Sequence, residues 1–339
     1  MLLEHILSSI LPASDAMAFA ARDRIARTLP PGEDLGKLGA AAARLAAARH
    51  TPRPVIKART VIVCAADHGV AHPGVSFTGG GPAAAALRVL AAGSSAMSAA
   101  ARTAGASQVL VDAGVRGGDA LDLGRGVLAF RLADGTASIT TGPAMSREVA
   151  EAGITTGIAL LVSLADSGLD LLALGQIGPG VEIASGALLA ALAGLAPEDI
   201  ASVPEDARAI ADALAANPDG LAAAAADPIA ALAALGGLEI ALQTGVILAA
   251  ASVHIPIVLD DHGTWAAALV ATRLAPAAAG YLFAAHGGTR PGYRRALTTL
   301  GLEPLFDLGL SHGEGTGALL AVPLLDAAAR VLADAAPGK

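Results

Sequence analysis

Short apolar runs alternate along this chain with stretches of helical periodicity. Six such runs are predicted strands, at residues 60–66, 108–112, 127–132, 170–174, 255–259 and 280–285. Apolar runs of this length, closed by glycine or polar residues, are typical of strands buried on both faces of a sheet. Because strands that alternate with helices form parallel sheets covered on both sides, the pattern predicts an α/β fold with one helical layer on each face.

Polar residues follow most of these predicted strands at their carboxyl ends. They are Asp67 with His68, Asp112, Gln176, Asp260 with Asp261 and His262, and His286. In a parallel sheet the carboxyl ends of the strands meet at one edge, and ligands bind outside that edge. The sequence therefore predicts one active cleft built from these side chains.

Helical segments fill most of the remaining chain. The main predicted helices are at residues 15–28, 35–50, 82–104, 146–167, 184–194, 238–252, 264–274, 291–300 and 317–335. An alanine-rich helical tract at 205–235 is interrupted by two proline steps, at Asn217-Pro218 and Asp227-Pro228. The helices of residues 1–50 and 317–339 are predicted to pack as a smaller lobe, and residues 51–316 form the large α/β domain with the cleft.

The composition narrows the class of protein. Hydrophobic residues make up 54% of the 339 residues, enough for a large core. The net charge of −8 and the 2% of aromatic residues disfavour a nucleic-acid partner. Cys64 is the single cysteine, so no intramolecular disulfide can form. No basic segment typical of a signal peptide occurs, and the nearest membrane-span candidate, residues 240–259, contains Gln243 and His254. We therefore expect a cytoplasmic protein without a membrane span.

Glu314 stands among glycines and a threonine, in the run His312 to Gly317, directly before an apolar stretch. Glycines let a backbone approach a ligand closely, and the start of a helix offers unpaired N–H groups. A carboxylate at such a place can take a proton from a ligand held against the loop. The alternative is a glycine-rich turn with a solvated Glu314, and the motif alone favours neither.

Other residues carry weaker indications. The eight histidines show no metal-binding spacing, so we predict no metal and no cofactor. Residues 175–180 form either a loop near a phosphate or a structural turn. His68 either orients a ligand or bonds a neighbouring carbonyl, and Asp67 more readily fixes a loop than binds a ligand. Asp260 and Asp261 are adjacent, so their side chains are predicted to diverge rather than work as an acid/base pair.

Several motifs follow one another in a fixed order. They are ADHGV at 66–70, GVS at 74–76, PG at 31–32, LGKL at 35–38, VDAGV at 111–115, PAMS at 143–146, GLEIA at 237–241, VLD at 258–260 and the segment from LEPL at 302–305 through Gly317. Together they resemble the motifs of the nicotinate-nucleotide–dimethylbenzimidazole phosphoribosyltransferase family over most of the chain. The resemblance implies a Rossmann-like three-layer fold, a smaller lobe built from both termini, and a homodimer.

The resemblance also implies a reaction. The 5-phosphoribosyl group of nicotinate mononucleotide passes to a benzimidazole nitrogen, nicotinate leaves, and the catalytic base falls on Glu314. The substrates are small molecules, and no metal is required because the departing pyridinium ring is already cationic. We predict substrate contacts along the strand ends and the glycine turn, at Asp67, His68, Ser76, Gly175, Gln176, Gly178, Gly180, Asp260, His286, Gly287, Gly315, Thr316 and Gly317.

The chain departs from the family pattern at some of these positions. Gln176 replaces a glutamate of the family's GEMGIGNTT loop, and Glu182 adds a carboxylate where a phosphate would approach. The acceptor-side stretch reads SFTGG at residues 76–80, where the family has a SAYPxE-like segment with longer polar side chains, and no lysine occurs at 196–221. Two alternatives follow: the same chemistry on another azole, a purine or a phenolic ring, or a non-catalytic paralogue that binds a nucleotide or partners a catalytic subunit.

Overall fold

The computed structural model describes residues 2–71, 81–289 and 291–334, without the side chains of residues 119 and 291. Its centre is a six-stranded parallel sheet with the strand order β3-β2-β1-β4-β5-β6. The strands are β1 (Arg59–Ala66), β2 (Ser107–Gly114), β3 (Val127–Ala129), β4 (Leu171–Ile177), β5 (Ile257–Leu259) and β6 (Leu282–Ala284). The predicted α/β fold is confirmed. The order reverses beside β1, which pairs with both β2 and β4.

Helices connect these strands. They are α1 (Leu2–Ser9), α2 (Asp15–Ala26), α3 (Gly36–Ala48), α4 (Pro82–Ala91), α5 (Ala96–Ala104), α6 (Arg147–Asp166), α7 (Val181–Ala193), α8 (Pro197–Ile200), α9 (Pro204–Ala216), α10 (Pro218–Ala223), α11 (Pro228–Leu235), α12 (Leu238–Ser252), α13 (His262–Leu274), α14 (Pro291–Thr299) and α15 (Thr316–Asp334). The two proline steps in the alanine-rich tract separate α9 from α10 and precede α11, as predicted.

Two apolar layers cover the sheet. One contains buried residues of α6, α7, α11, α12 and α13, and the other contains buried residues of α3, α4, α5 and α15. Alanine and glycine allow helices to approach closely in these layers, because they carry little or no side chain. The clearest example is the crossing of α6 and α12, where a Cβ on Gly157 would overlap the Leu242 carbonyl oxygen. The backbones of α6 and α12 therefore come into direct contact where they cross.

Helices from both chain ends lie on the same layer. α15 packs against α3, α2 and α5, and it also contacts β4 and β5. In contrast, α1 contacts α12 and α6 on the opposite layer. The division into a terminal lobe and residues 51–316 stays a prediction.

The helix predicted at 82–104 and the strand predicted at 170–174 differ from the structure near the cleft. The single helix predicted at 82–104 is two helices, because Gly93 adopts a left-handed φ of 70° and the Ser95 hydroxyl then caps α5 by accepting from the Ser98 N–H. The strand predicted to end at Gly175 continues to Ile177, so Gln176 lies inside β4. This places the Gln176 side chain at the carboxyl edge of the sheet.

Three helical stretches are long and apolar enough to cross a membrane by length and composition: 82–104, 147–166 and 316–334. Each belongs to the layers described above and contributes buried residues to the core. The expected absence of a membrane span stays a prediction.

Candidate active site

A cleft of about 320 Å³ opens at the carboxyl edge of the sheet. Four segments line it: the start of α4, the turn between β4 and α7, the start of α13, and residues 311–314. The position agrees with the expectation for a parallel α/β sheet. A larger cavity of about 520 Å³ lies between α3 and the β6 edge. In its wall, the partly buried Arg44 donates to the Leu282 and Ala279 carbonyls, and none of the predicted site residues lines this cavity.

Glu314 lies in the 320 Å³ cleft, and its side chain is 24% exposed. Its backbone adopts a left-handed φ of 65°, which is uncommon for a residue other than glycine and concentrates at functional sites. The Gly315 N–H donates to Asp260 Oδ2 at 2.8 Å, which fixes the turn from below. Glu314 is therefore held at the wall of a cleft rather than in an open, solvated turn.

Both carboxylate oxygens of Asp260 accept hydrogen bonds from the backbone beside the Glu314 turn. Its Oδ1 accepts from the Ala318 N–H at 2.7 Å, while Oδ2 accepts from Gly315. A carboxylate that accepts from the first N–H groups of α15 also interacts favourably with the helix dipole. Asp260 thus joins the end of β5 to the start of α15, across 58 residues of chain.

Asp261 has a different neighbour from Asp260, and the divergence of the two carboxylates stays a prediction. It lines the cleft, and a Cβ on Gly313 would overlap its Oδ2, which shows how closely the Glu314 turn packs on it. Burial raises the pKa of Asp261; the neighbouring His262 opposes that rise and Asp260 adds to it. Its Oδ1 has no hydrogen-bond partner among the described residues.

Gly175 explains how the Glu314 turn reaches the sheet. A Cβ at this position would overlap the Gly315 nitrogen and the Glu314 carbonyl carbon. The turn therefore rests directly on the backbone of β4, and only glycine permits the contact. The Gln243 amide donates to the Gly175 carbonyl at 2.6 Å and supports the strand from α12.

The turn after β4 packs on the end of β1. A Cβ on Gly178 would overlap the Ala66 carbonyl oxygen, and Gly180 has a left-handed φ of 85°. The close contact at position 178 and the left-handed backbone at position 180 explain why glycine occupies both positions. Gln176, which precedes them, lies against Gly263, and neither atom of its buried amide has a hydrogen-bond partner within the described chain.

His68 and Asp67 lie beyond the end of β1. His68 Nε2 lies 3.0 Å from Oε1 of Glu239 on α12, and both side chains are buried. From the sequence, the partner of His68 was predicted to be either a ligand or a backbone carbonyl. In the structure the partner is the carboxylate of Glu239. Asp67 Oδ2 accepts from the Arg116 N–H at 2.9 Å, so Asp67 fixes a loop as predicted. Burial raises the pKa of Asp67, against the opposing effect of that hydrogen bond.

The remaining predicted contacts lie around the start of α15. His286 Nε2 is 3.7 Å from Asp260 Oδ1, and a Cβ on Gly317 would lie 2.6 Å from the same oxygen. Gly287 lies near Pro304, and the hydroxyl of Thr316 is buried without a partner among the described residues. Ser76 falls outside the described residues. The structure thus brings Asp260, His286 and Gly315 to Gly317 together beneath Glu314, and their contact with substrate stays a prediction.

A second, smaller cavity of about 70 Å³ adjoins the cleft and shares lining residues with it. The shared residues are Glu182, Asp261, His262, Ser311, His312 and Gly313. His312 Nε2 lies 3.4 Å from Glu314 Oε2, and the His262 ring stacks on Tyr293 at 5.5 Å. The sequence predicted His262 as part of the cleft, but it predicted no substrate contact for His262 or His312. His312 lies two residues before Glu314, and this spacing could have indicated its place in the site. No feature of the sequence indicated that Glu239 is the partner of His68.

The described residues contain no cluster of side chains suited to bind a metal ion. Within residues 2–71, 81–289 and 291–334, no group of three or more His, Cys, Asp or Glu side chains could hold a metal ion. That no metal or cofactor is needed stays a prediction.

The fold and the cleft define an α/β protein with a candidate ligand site outside the carboxyl ends of a parallel sheet. A family profile described as phosphoribosyltransferase matches residues 10–338. The nicotinate-nucleotide–dimethylbenzimidazole phosphoribosyltransferase of Roseiflexus sp. (strain RS-1) is 38% identical over 336 residues, which cover 98% of this chain and 95% of that protein. The protein of the same name from Thermus thermophilus is 38% identical and covers 94% and 96%.

Structural comparison agrees with the sequences. The crystal structure of the nicotinate-nucleotide–dimethylbenzimidazole phosphoribosyltransferase from Thermus thermophilus matches with a TM-score of 0.85 at 36% identity, over 94% of this chain and 96% of that one. The chain therefore belongs to the phosphoribosyltransferase family whose members carry this name. The resemblance drawn from the motifs is confirmed.

Proposed function

We propose that this enzyme transfers the 5-phosphoribosyl group of nicotinate mononucleotide to a dimethylbenzimidazole-type acceptor and releases nicotinate, a step of cobalamin biosynthesis. The names of relatives that match nearly the full chain support the two substrates. The single observation that carries the mechanism is Glu314, held in a left-handed turn at the wall of the cleft.

The proposed chemistry needs one base and accurate positioning. One acceptor nitrogen forms a bond to the anomeric carbon of the ribose, and the bond from that carbon to the nicotinate nitrogen breaks. The electrons of the broken bond neutralise the pyridinium ring as it leaves. Glu314 takes the proton from the acceptor's other nitrogen, so charge does not accumulate on the product ring.

The turn is suited to this role because its backbone is fixed before substrate binds. Asp260 holds the Gly315 N–H, and β4 supports the turn at Gly175. A base held in place loses little freedom when the reaction occurs, which contributes to rate enhancement. We also propose that the other predicted contact residues, Asp67, His68, Ser76, Gln176, His286 and Thr316 among them, bind the donor or the acceptor.

Replacement of Glu314 by Gln tests the base. The amide keeps the size of the side chain and removes its basicity, so we expect kcat to fall by about 10²–10⁴-fold. Free nicotinate, followed by chromatography, measures turnover. Glu205→Gln is the matched control, since Glu205 is an exposed residue of α9, and it should retain full activity. Unchanged turnover by Glu314→Gln would refute the assignment.

The same assay decides between catalysis and the non-catalytic alternative. If the unaltered protein releases no nicotinate with any azole, purine or phenolic acceptor, it is not the proposed transferase. Binding of nicotinate mononucleotide, measured by calorimetry in the same samples, would then identify a nucleotide-binding paralogue.

We propose further that the chain forms a homodimer in the cytoplasm and does not associate with membranes. Light scattering coupled to size exclusion should give twice the mass of one 33.1 kDa chain. A monomer at all concentrations, or recovery in the membrane fraction, would contradict these two points.

A further inference from the structure

Two polar side chains near the start of α12 are completely buried. Glu239 and Gln243 are each 0% exposed, within a helix whose residues 238–251 are all buried. Burial of a carboxylate or an amide is unfavourable unless hydrogen-bond partners replace the lost water. That replacement is incomplete, because Glu239 Oε2 and Gln243 Oε1 have no partner among the described residues. Apolar packing therefore does not explain why these two residue types occur here.

Glu239 and Gln243 face the same part of the sheet. They are four residues apart, so their side chains project from one side of the helix, about one turn apart. Burial raises the pKa of the Cys64 thiol on β1; the charge of Glu239 adds to the rise, and a hydrogen bond with the Gln243 amide opposes it. Cys64 pairs in register with Gln176 on β4, and Gln176 lines the cleft. Both side chains of α12 therefore lie at the end of the sheet where the cleft opens.

Glu239 supports the turn between β4 and α7, residues 178–180, through His68. The carboxylate oxygen Oε1 lies 3.0 Å from His68 Nε2. On the other side, the His68 backbone N–H donates to the Pro179 carbonyl at 3.3 Å, and a Cβ on Gly180 would lie 3.0 Å from the His68 Cβ. His68 is thus held between α12 and this turn, whose residues 178 and 179 line the cleft.

Gln243 supports the Glu314 turn through Gly175. Its amide donates to the Gly175 carbonyl at 2.6 Å. The opposite face of Gly175 carries the Glu314 turn, since a Cβ there would overlap the Glu314 carbonyl carbon and the Gly315 nitrogen. Loss of the Gln243 hydrogen bond would therefore release the peptide on which the base rests.

We propose that Glu239 and Gln243 are positioning residues of the transferase: Glu239 sets the turn between β4 and α7 for the donor, and Gln243 sets the Glu314 turn. This inference rests on the proposed function, because it assigns the supports of the same site. Neither side chain lines the cleft, so each acts through its partner. We assign the first turn to the donor because it opens α7, and the start of a helix favours the phosphate that only the donor carries.

Replacement of Glu239 tests the first support. Glu239→Met removes the hydrogen bond to His68, whereas Glu239→Gln keeps a polar group within reach of it. We expect Glu239→Met to raise KM for nicotinate mononucleotide about tenfold with little change in kcat, the result of weaker ground-state binding. Glu239→Gln should stay within about twofold of the unaltered protein, since the hydrogen bond is retained. Nicotinate release at varied donor concentration measures both constants.

Replacement of Gln243 tests the second support in the same assay. Gln243→Met keeps an unbranched side chain and removes the donor to the Gly175 carbonyl. Because the base then loses its fixed position, we expect kcat to fall about tenfold while KM for the donor stays within about twofold. The two methionine variants should thus differ in which kinetic constant changes, although they carry the same new side chain on the same helix.

Thr244→Val is the matched control. The Thr244 hydroxyl is also buried on α12, but it donates to the Ile240 carbonyl of the same helix and supports neither turn. Its loss should leave kcat and KM unchanged. Thermal melting verifies that each variant is folded. If a methionine variant fails to fold, Glu239→Asp or Gln243→Asn takes its place, because each shortens the side chain by one methylene and withdraws it from its partner.

The outcomes separate this inference from the proposed function. Unchanged kinetics in both methionine variants, or equal losses in kcat and KM in both, would overturn the inference and leave the transferase intact. A KM for Glu239→Gln as high as that of Glu239→Met would also overturn it, since the hydrogen bond would then not be the cause. Absence of nicotinate release by the unaltered protein removes the proposed function, and the inference with it.

Discussion

Glu314 occupies a backbone conformation that most side chains avoid. Its φ of 65° costs about 1–2 kcal/mol relative to a right-handed conformation, so the surrounding contacts must hold it there. The contacts are backbone ones: Gly315 N–H to Asp260, and the turn against β4 at Gly175. The position of the base therefore depends on the backbone contacts beneath the turn.

Gly175→Ala tests this dependence. The added methyl group would overlap the backbone of Glu314 and Gly315, which cannot move aside like a flexible side chain. We expect the turn to shift by about 1 Å and kcat to fall by about 10²-fold, because a base so displaced no longer meets its proton. Steady-state kinetics measure the change.

The control for that substitution is Gly39→Ala, inside α3, where the new Cβ would lie 3.3 Å from the Leu35 Cβ. Its activity should be unchanged. If Gly175→Ala keeps full kcat, the turn is not positioned by β4.

At the scale of elements, two glycine-mediated contacts decide how closely α6 and α12 pack. The crossing of α6 and α12 is reciprocal, since a Cβ on Gly157 would overlap the Leu242 carbonyl and one on Gly245 would overlap the Ile154 carbonyl. Residues 238–251 of α12 are all buried, so α12 has no free side toward which it could move. The pair forms a rigid support beneath β1 and β4, and it carries Glu239 and Gln243 to the site.

Gly157→Ala is expected to lower the free energy of unfolding by about 2–3 kcal/mol, in the upper part of the range for overpacking a buried contact. The reason is that the methyl group would overlap the backbone of α12, which is buried on all sides and cannot move away. Urea unfolding followed by circular dichroism measures the loss. Gly39→Ala should stay within about 1 kcal/mol of the unaltered protein. Equal stability of the two variants would show that α6 and α12 can separate without cost.

At the scale of the whole molecule, distant chain segments meet on the side of the sheet opposite the cleft. His50, after α3, stacks on His254, after α12, with ring centroids 4.1 Å apart, and Tyr281 lies parallel to both. The Tyr281 hydroxyl donates to the Leu11 carbonyl at 2.8 Å and so ties in the N-terminal segment. Burial, with smaller effects of His50 and Arg49, lowers the pKa of His254.

This stack predicts an acid-sensitive contribution to stability. Because the pKa of His254 is lower in the folded protein than in the unfolded chain, the folded state holds its proton less tightly. The contribution is complete above the unfolded value of about 6.5 and is lost as the pH falls from there toward the lowered folded value. Melting temperatures across this range should therefore decrease with acidity.

His254→Asn isolates the effect from the other histidines. Asparagine tolerates the left-handed φ of 59° at this position and does not titrate. Between about pH 7 and pH 5, where an ordinary imidazole gains its proton, the melting temperature of the variant should fall less than that of the unaltered protein. Parallel pH profiles for the two proteins would rule out His254 as the sensitive group.

Local patterns in the sequence were enough to predict much of this molecule. Apolar runs closed by polar residues predicted the parallel sheet and its carboxyl edge, since strand formation and burial depend on neighbouring residues. The glycines around Glu314 predicted a turn before a helix, and ordered motifs predicted the family.

Tertiary structure alone decided which partner each polar side chain meets. Glu239 pairs with His68 across 171 residues, and Asp260 reaches the start of α15 across 58. The same packing set His262 and His312 on the shared wall of two cavities. Such contacts depend on how whole helices dock on the sheet, and no local propensity specifies that docking. The sequence by itself therefore determined the fold, the family and the candidate base, whereas the surroundings of that base arose only when distant segments packed together.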